Sequence, residues 1–174
     1  MNIILMGYRG TGKSVLGKIL ARKLKRRLYR IDDLIVDSAG LPIPQIVEQG
    51  GWPHFREVES RIVKEVSDTA ENSIIDCGGG VVLDPENIKN LKRRGKVILL
   101  TASLSAILKR LRGDAKRPSL KPGLTFEEEQ KQILAEREEK YQLASDLVVD
   151  TTKKSPSATA DEIIAGCQNN SWIK

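Results

Sequence analysis

Aromatic side chains are scarce in this sequence: Phe, Trp and Tyr make up 4% of its 174 residues. A nucleic-acid surface built on base stacking is therefore not indicated. The two cysteines, Cys77 and Cys167, have no partner at metal-ligand spacing, which is typical of a reducing compartment. No apolar run approaches the roughly 20 residues that cross a bilayer, and the first residues do not have the pattern of a signal peptide. These absences predict a soluble, cytoplasmic protein with no membrane partner.

Charged residues are plentiful, and positive charge is in excess, with 29 Lys and Arg against 23 Asp and Glu. The excess is explained by a solvated basic surface, by attraction of anionic ligands, or by both. Nucleic-acid binding is disfavoured because the basic residues are interspersed with acidic ones. The only histidine, His54, stands at a predicted helix start, where no catalytic role is indicated.

The segment Gly7–Ser14 has the spacing G-x-x-x-x-G-K-[ST] of a phosphate-binding loop. It follows a short apolar strand, Ile3–Met6, and leads into a segment with helical periodicity, Val15–Leu24. Glycines let successive backbone N–H groups face phosphate oxygens, and the helix N-terminus adds its positive dipole end. Lys13 is suited to the outer phosphates and Ser14 to Mg²⁺. The loop predicts a nucleoside triphosphate site.

Strand and helix patterns alternate along the rest of the chain, which favours one α/β domain over residues 1–174 with a parallel sheet covered on both faces. The predicted strands are 3–6, 28–31, 73–77, 97–100 and 147–150. The predicted helices after the first are 33–39, a short one through 46–47, 53–68, 85–94, one capped by Ser103 or Ser105, 125–144 and 159–167. In this scheme Asp32 and Asp33 end the second strand, where α/β proteins place ligand-binding side chains.

Five groups outside the loop are candidates for function: Asp32-Asp33, Phe55-Arg56 with Glu59, Gly78-Gly79-Gly80, Arg117 and Arg137. Arg117 stands in a basic stretch punctuated by Gly and Pro, from 112 to 123. Each group alone has an ordinary explanation, such as a helix cap or a surface ion pair. Together with a phosphate-binding loop they form a pattern.

That pattern resembles the shikimate kinases, a branch of the nucleoside monophosphate kinase-like P-loop enzymes, over nearly the whole chain. The residues that carry the resemblance are Gly10-Thr11-Gly12-Lys13-Ser14, Asp32, Phe55-Arg56-x-x-Glu59, Gly78-Gly79-Gly80, Arg117-Pro118 and Arg137. The resemblance implies a three-layer P-loop kinase fold and transfer of the γ-phosphoryl of ATP to the 3-hydroxyl of shikimate, a step of aromatic amino-acid biosynthesis. It also implies Mg²⁺ as cofactor. We expect a monomer, because no strand or helix pattern leaves an obviously unburied apolar face.

The resemblance assigns the acid-binding roles residue by residue. Asp32 would bind ring hydroxyls of shikimate and orient or deprotonate the attacking one. Arg56 and Arg137 would pair with the substrate carboxylate, a geometry that guanidinium suits. Gly79 and Gly80 would offer backbone N–H groups to the substrate.

The remaining implied roles concern the nucleotide and the moving parts. Glu59 would hold Arg56, within a substrate-binding segment of about 32–60. Arg117 would reach the transferring phosphoryl from a mobile lid of about 112–124. The implied nucleotide-binding residues are Gly10, Thr11, Gly12, Lys13, Ser14, Val15, Arg110, Arg117 and Lys154, with Pro156 beside the base.

One part of the family pattern is missing. The family carries Asp-x-Asp at the end of the second strand, but here Arg30 takes the first position when Asp32 takes the second. An alternative register, with Asp33 second and Ile31 first, needs an insertion and a compensating deletion. In both registers the acidic residue that helps to hold Mg²⁺ is absent.

Asp76 offers a replacement, because it stands where the family has Ser or Thr and ends an apolar strand in the Walker B manner. We hypothesise that Asp76 takes over the outer-sphere Mg²⁺ role, with Arg30 pairing Asp76 or Asp32. The alternative is that Arg30 points to solvent and Asp76 is an ordinary polar strand end.

Two other functions stay open at this point. A kinase of the same architecture could act on another small hydroxy acid, such as gluconate. A nucleotide-binding module with weakened catalysis would account for the missing first aspartate.

Overall fold

The computed structural model describes residues 1–112 and 118–173. Within these ranges five parallel strands form one sheet in the order β2-β3-β1-β4-β5. The strands are β1 (Asn2–Gly7), β2 (Leu28–Arg30), β3 (Ile74–Asp76), β4 (Gly95–Thr101) and β5 (Leu147–Asp150). The central parallel sheet expected from the alternating patterns is confirmed.

Seven α-helices and one 3₁₀ turn connect the strands in the described ranges. The helices are α1 (Lys13–Leu24), α2 (Ile31–Ala39), α3 (Ile43–Thr69), α4 (Pro85–Lys92), α5 (Leu104–Leu111), α6 (Phe126–Ala144) and α7 (Pro156–Asn169), and the turn is Val81–Leu83. Side-chain caps fix several starts: Asp84, Ser103, Thr125 and Ser155 each accept a hydrogen bond from a backbone N–H of the first turn. At α6 the Glu128 carboxylate accepts the reciprocal hydrogen bond from the backbone N–H of Thr125, which completes the predicted capping box.

The sheet separates two hydrophobic cores because successive strand residues face opposite sides. Ile4 and Met6 belong to the first core, which α3 and α6 cover with residues such as Phe55 and Ile133. Ile3, Leu5 and Ile98 belong to the second core, which α1 and α7 cover with residues such as Leu20, Ile163 and Cys167. Trp172, beyond α7, is partly buried against the second core.

The strand register brings functional positions to one edge of the sheet. Arg30 pairs with Asp76 across β2 and β3, and Gly7 pairs with Leu100 across β1 and β4. In a parallel sheet these carboxyl ends form the crevice where ligands bind. The phosphate loop and Asp76 therefore open into the same crevice.

Three local expectations differ from the structure. β2 ends at Arg30, so Asp32 lies in the first turn of α2 rather than at a strand end. The helices expected on either side of Gly50-Gly51 are joined into α3 through a kink at Gly51, where φ is 72° and ψ is 176°. The last helix begins at Pro156 rather than Thr159, because Ser155 supplies the N-cap and proline suits the first helical position. In the described ranges no helix is both long and apolar enough to cross a membrane.

Candidate active site

The phosphate loop wraps the N-terminus of α1 with backbone conformations that favour glycine. Gly10 and Gly12 have φ of 79° and 96°. A Cβ on Gly7 would lie 2.3 Å from the carbonyl oxygen of Leu100, so the loop needs glycine there for close approach to β4. Lys13 Nζ donates to the carbonyl oxygens of Gly7 and Tyr8 at 2.8 and 2.9 Å, which holds the ammonium group over the loop. The geometry is that of an anion-binding concavity.

At the end of β3, Asp76 faces the phosphate loop. Its carboxylate lies near the Ser14 hydroxyl in the same cavity, and only 6% of the residue is exposed. Burial raises the pKa of Asp76, and the nearby Lys13 charge and Ser14 hydroxyl oppose that rise. The arrangement places an oxygen ligand beside the hydroxyl expected to bind Mg²⁺. No cluster of three or more His, Cys, Asp or Glu residues suited to a metal occurs in residues 1–112 and 118–173.

Arg30 lies between two carboxylates rather than pointing away from the crevice. Its Nη1 donates to Asp33 Oδ2 at 2.5 Å, and its Nε lies 3.8 Å from Asp76 Oδ2. Nε is buried and has no hydrogen-bond partner within the part of the chain described. Arg30 thus brings a positive charge to the aspartate beside the phosphate loop, while its stronger contact is with Asp33.

We call the cavity that the phosphate loop lines the nucleotide cavity. A second pocket adjoins it and contains the predicted acid-binding residues. The nucleotide cavity is about 500 Å³, and Asp32 and Gly79 line both it and the second pocket. We call the second one the acid pocket. Its lining residues include Trp52, Phe55, Arg56, Glu59, Gly80, Pro118, Leu120 and Arg137. The two cavities meet at Asp32, so a ligand in one could react with a ligand in the other.

Arg56 is held in the acid pocket by an ion pair with a carboxylate, and a neighbouring glycine leaves room for its guanidinium group. It donates through Nη1 to Glu59, whose side chain is 1% exposed. A Cβ on Gly80 would lie 2.2 Å from the guanidinium carbon of Arg56, so this glycine makes room for the cation. Burial raises the pKa of Glu59, with Arg56 opposing the rise. Phe55 and Trp52 flank the same guanidinium, at 5.0 and 5.5 Å from their ring centroids.

Arg137 enters the acid pocket from α6. Its Nη1 donates to the carbonyl oxygen of Gly79 at 2.9 Å, and Tyr141 donates to the same oxygen. The glycine triplet is therefore fixed from the carbonyl side, and its backbone lies against the pocket without side chains. Arg56 and Arg137 face one pocket, as a carboxylate-binding pair requires.

The far end of the nucleotide cavity is formed by Arg110, Lys154 and Pro156. Arg110 donates to the carbonyl oxygen of Gly10 at 3.0 Å and to that of Thr151 at 2.6 Å. It joins α5 to the phosphate loop and to the loop after β5. Lys154 pairs with Glu162 at 2.6 Å. The predicted nucleotide residues Thr11 and Val15 line the same cavity, and Arg117 lies outside the described residues.

Sequence reasoning missed one set of contacts, in which Arg9 of the phosphate loop meets α6. Arg9 donates to Gln130 Oε1 at 2.7 Å and to Glu129 Oε2 at 3.1 Å, and Tyr8 also donates to Gln130 Oε1. These partners lie about 120 residues away in sequence, on a helix rich in charged residues. No local motif marks them.

A triphosphate cavity that opens directly onto a pocket with two arginines is the arrangement of a P-loop kinase with a small anionic acceptor. The family model described as shikimate kinase matches residues 9–168. The chain is 41% identical to a shikimate kinase of Geobacter sulfurreducens, covering 93% of this chain and 88% of the relative. It is 38% identical to one of Sulfurihydrogenibium sp., covering 94% and 95%.

Solved structures agree. A shikimate kinase from Acinetobacter baumannii in complex with shikimate superposes with a TM-score of 0.91 at 28% identity, covering 97% of this chain and 93% of that one. One from Aquifex aeolicus gives a TM-score of 0.81 at 30% identity over 100% of each chain. This chain belongs to the shikimate kinase family. The resemblance carried by the motifs is confirmed, and the chain is an ATP-dependent kinase with ATP as its co-substrate.

Proposed function

We propose that this chain transfers the γ-phosphoryl group of ATP to the 3-hydroxyl of shikimate, giving shikimate 3-phosphate and ADP. The observation that carries the proposal is the position of Asp32, which lines both the nucleotide cavity and the acid pocket. A substrate hydroxyl held at this junction is within reach of a phosphoryl group held over the phosphate loop. Positioning and charge stabilisation are what phosphoryl transfer mainly needs from a protein.

Each residue has a role in this proposal. Asp32 orients the 3-hydroxyl and accepts its proton as the oxygen–phosphorus bond forms and the bond between the β–γ bridging oxygen and the γ-phosphorus breaks. Arg56 and Arg137 bind the carboxylate, and the backbone of Gly79 and Gly80 borders the ring. Lys13 neutralises charge on the outer phosphates.

Arg117 completes the proposal through the family resemblance, as a charge that reaches the phosphoryl group from a lid of about 112–124. Arg117→Ala should lower kcat by two orders of magnitude or more, because an arginine at this point is worth about 10³-fold or more in related phosphotransferases. Lys116→Ala is the matched control, since it removes a neighbouring positive charge outside the family motif. An equal loss in both variants would contradict a specific role for Arg117.

The Mg²⁺ site is proposed at Ser14 and Asp76. The position of both residues in the cavity of the phosphate loop supports it, as does the preference of Mg²⁺ for few protein ligands together with phosphates and water. When bound there, Mg²⁺ would neutralise negative charge on the phosphates. Asp76 would orient the Ser14 hydroxyl and a metal-bound water, the role of the aspartate that Arg30 replaces.

Asp76→Asn tests this assignment. We expect a higher Mg²⁺ concentration for half-maximal activity and weaker Mg²⁺-dependent ADP binding by calorimetry, because a neutral amide binds the hydrated ion less well. Asp33→Asn is the control, as it removes the other carboxylate beside Arg30 without touching Ser14. An unchanged Mg²⁺ requirement in Asp76→Asn would contradict the proposal.

The acceptor is tested by ADP release with shikimate, with gluconate and with no acceptor. We expect turnover with shikimate alone. Turnover with gluconate alone would overturn the substrate assignment. Absence of acceptor-dependent turnover would favour a nucleotide-binding module. Family membership and two arginines in one pocket favour the kinase.

We also propose a single domain, 1–174, that acts as a cytoplasmic monomer without nucleic-acid or membrane partners. Its substrate-binding segment would be about 32–60. Two buried free cysteines, Cys77 and Cys167, suit a reducing compartment. Light scattering should give the mass of one chain at micromolar concentration, and a dimer mass would contradict the monomer.

A further inference from the structure

Glu129, in the first turns of α6, is the acceptor for five donors. Its Oε1 receives hydrogen bonds from Ser119 Oγ at 2.7 Å and from the backbone N–H groups of Leu120 and Lys121 at 2.6 and 2.9 Å. Its Oε2 receives Arg9 Nη2 at 3.1 Å and Gln130 Nε2 at 2.9 Å. The side chain is 7% exposed.

Four of these donors, all except Gln130, belong to two walls of the acid pocket. Pro118 and Leu120 line the pocket from one segment, which we call the 118–121 wall. Tyr8 and Arg9 line it from the phosphate loop. Trp52, another lining residue, donates through Nε1 to the carbonyl oxygen of Ser119 at 3.4 Å. Glu129 is the side chain that joins the 118–121 wall to Arg9.

The charge on Glu129 is part of this arrangement. Burial alone would raise the pKa of Glu129, but hydrogen bonds from Ser119, Lys121 and Leu120 and the charge of Arg9 outweigh burial and lower it. The carboxylate is therefore ionised at neutral pH. Hydrogen bonds to an ionised acceptor are stronger than neutral ones, so the two walls are held by a charge-assisted cluster.

We propose that Glu129 is a positioning residue for the acid pocket. It anchors the 118–121 wall, the end of the proposed lid segment nearest α6, against Arg9, so that this end stays in place and the pocket has its binding shape before the acid arrives. The inference rests on the proposed function for the identity of the acid. It adds a residue to which the family motifs above assign no role. Glu129 touches neither substrate in this scheme and acts through the wall and through Arg9.

Glu129→Gln tests the proposal, because the amide keeps the size of the side chain and removes its charge and one acceptor. We expect KM for shikimate to rise roughly tenfold while KM for ATP changes less than about twofold. Glu127→Gln is the matched control: Glu127 is exposed on the same first turn of α6, so it loses the same charge without touching a pocket wall. An equal rise in both variants, or no rise in Glu129→Gln, would overturn the proposal.

A second readout does not depend on turnover. The chain has two tryptophans, so Trp172→Phe leaves Trp52 as the reporter beside Ser119. In that background, acrylamide should quench ligand-free Trp52 more strongly when Glu129 is changed to Gln, and Ser119→Ala should add little to Glu129→Gln. Unchanged quenching would contradict the wall assignment even if shikimate proved not to be the substrate. Increased quenching in a chain that does not phosphorylate shikimate would contradict the proposed function but would still support the positioning role of Glu129.

Discussion

At Gly80 the missing side chain makes room for a cation. Its backbone, with φ of −101° and ψ of −3°, is accessible to other residues, so conformation does not require glycine there. The limited space requires glycine, because a Cβ at this position would lie 2.2 Å from the Arg56 guanidinium group. Since that guanidinium is the far end of a flexible side chain, it can move away, and the consequence falls on binding rather than on folding.

Gly80→Ala should therefore raise KM for shikimate by roughly tenfold, the equivalent of one charge-assisted hydrogen bond. KM for ATP and Tm should change little, because neither the phosphate loop nor backbone strain is involved. Steady-state kinetics with each substrate varied, together with a melting curve, provide the check. A large fall in Tm with unchanged KM would show that Gly80 serves the fold instead.

Glu59 shows a conflict between stability and function within one residue. Its pKa is raised because burial of the carboxylate outweighs the attraction of Arg56. For a carboxyl with a raised folded-state pKa, the favourable protonated form contributes stability at low pH. That contribution is lost as pH rises through the folded pKa.

Glu59→Gln should accordingly have a higher Tm than the unchanged chain at pH 8, with the difference shrinking as pH falls towards the ordinary carboxyl pKa of 4.5. Each kcal/mol corresponds to about 2–4 °C at this chain length. The same variant should bind shikimate more weakly at pH 8, because a neutral amide holds Arg56 less firmly. Melting curves between pH 4 and 8 measure the first effect. A constant Tm difference across that range would contradict the assigned pKa direction.

Among the elements, α3 carries four residues of the acid pocket after its kink. Gly51 has φ of 72° and ψ of 176°, a conformation that L-residues rarely adopt. Trp52, Phe55, Arg56 and Glu59 follow the kink and line the pocket.

Gly51→Ala should lower stability by about 1–3 kcal/mol and raise KM for shikimate, because relief of the strain moves the segment that follows. Gly40→Ala is the comparison: Gly40 has φ of 68°, ends α2, and no atom lies within 4 Å of an added Cβ. Both variants should lose Tm, but only Gly51→Ala should weaken shikimate binding. Equal KM values for shikimate in the two variants would show that the kink does not shape the acid pocket.

The elements also show how far sequence reasoning reaches. The phosphate loop could be predicted because all of its determinants are contiguous, and the caps of α4 and α6 for the same reason. Asp32 was assigned to a strand end, but α2 begins one residue earlier, at Ile31, because apolar residues suit either state. The approach of Arg30 to Asp76 and the contact of Arg9 with Glu129 depend on tertiary packing, which no local pattern encodes.

At the scale of the whole molecule, the sheet separates two cores, and each core supports a different substrate-binding cavity. α6 lies over the first core and carries Glu129, Gln130 and Arg137, so packing beneath it is coupled to the acid pocket. α7 lies over the second core and borders the nucleotide cavity at Pro156 and Thr159. Mutations of equal size in the two cores should differ in which substrate they affect.

Ile133→Ala and Ile163→Ala compare the cores directly, since the two isoleucines are 2% and 0% exposed. Each should cost about 2–5 kcal/mol through lost burial and the cavity left behind. Ile133→Ala should also raise KM for shikimate, because α6 settles towards the cavity and takes Arg137 and Glu129 with it. Ile163→Ala should leave KM for shikimate within about twofold, since the sheet separates it from the acid pocket and a twofold change is only about 0.4 kcal/mol. KM for shikimate should be measured for both variants at a temperature well below either Tm. Equal values would show that the sheet does not isolate the acid pocket from the second core.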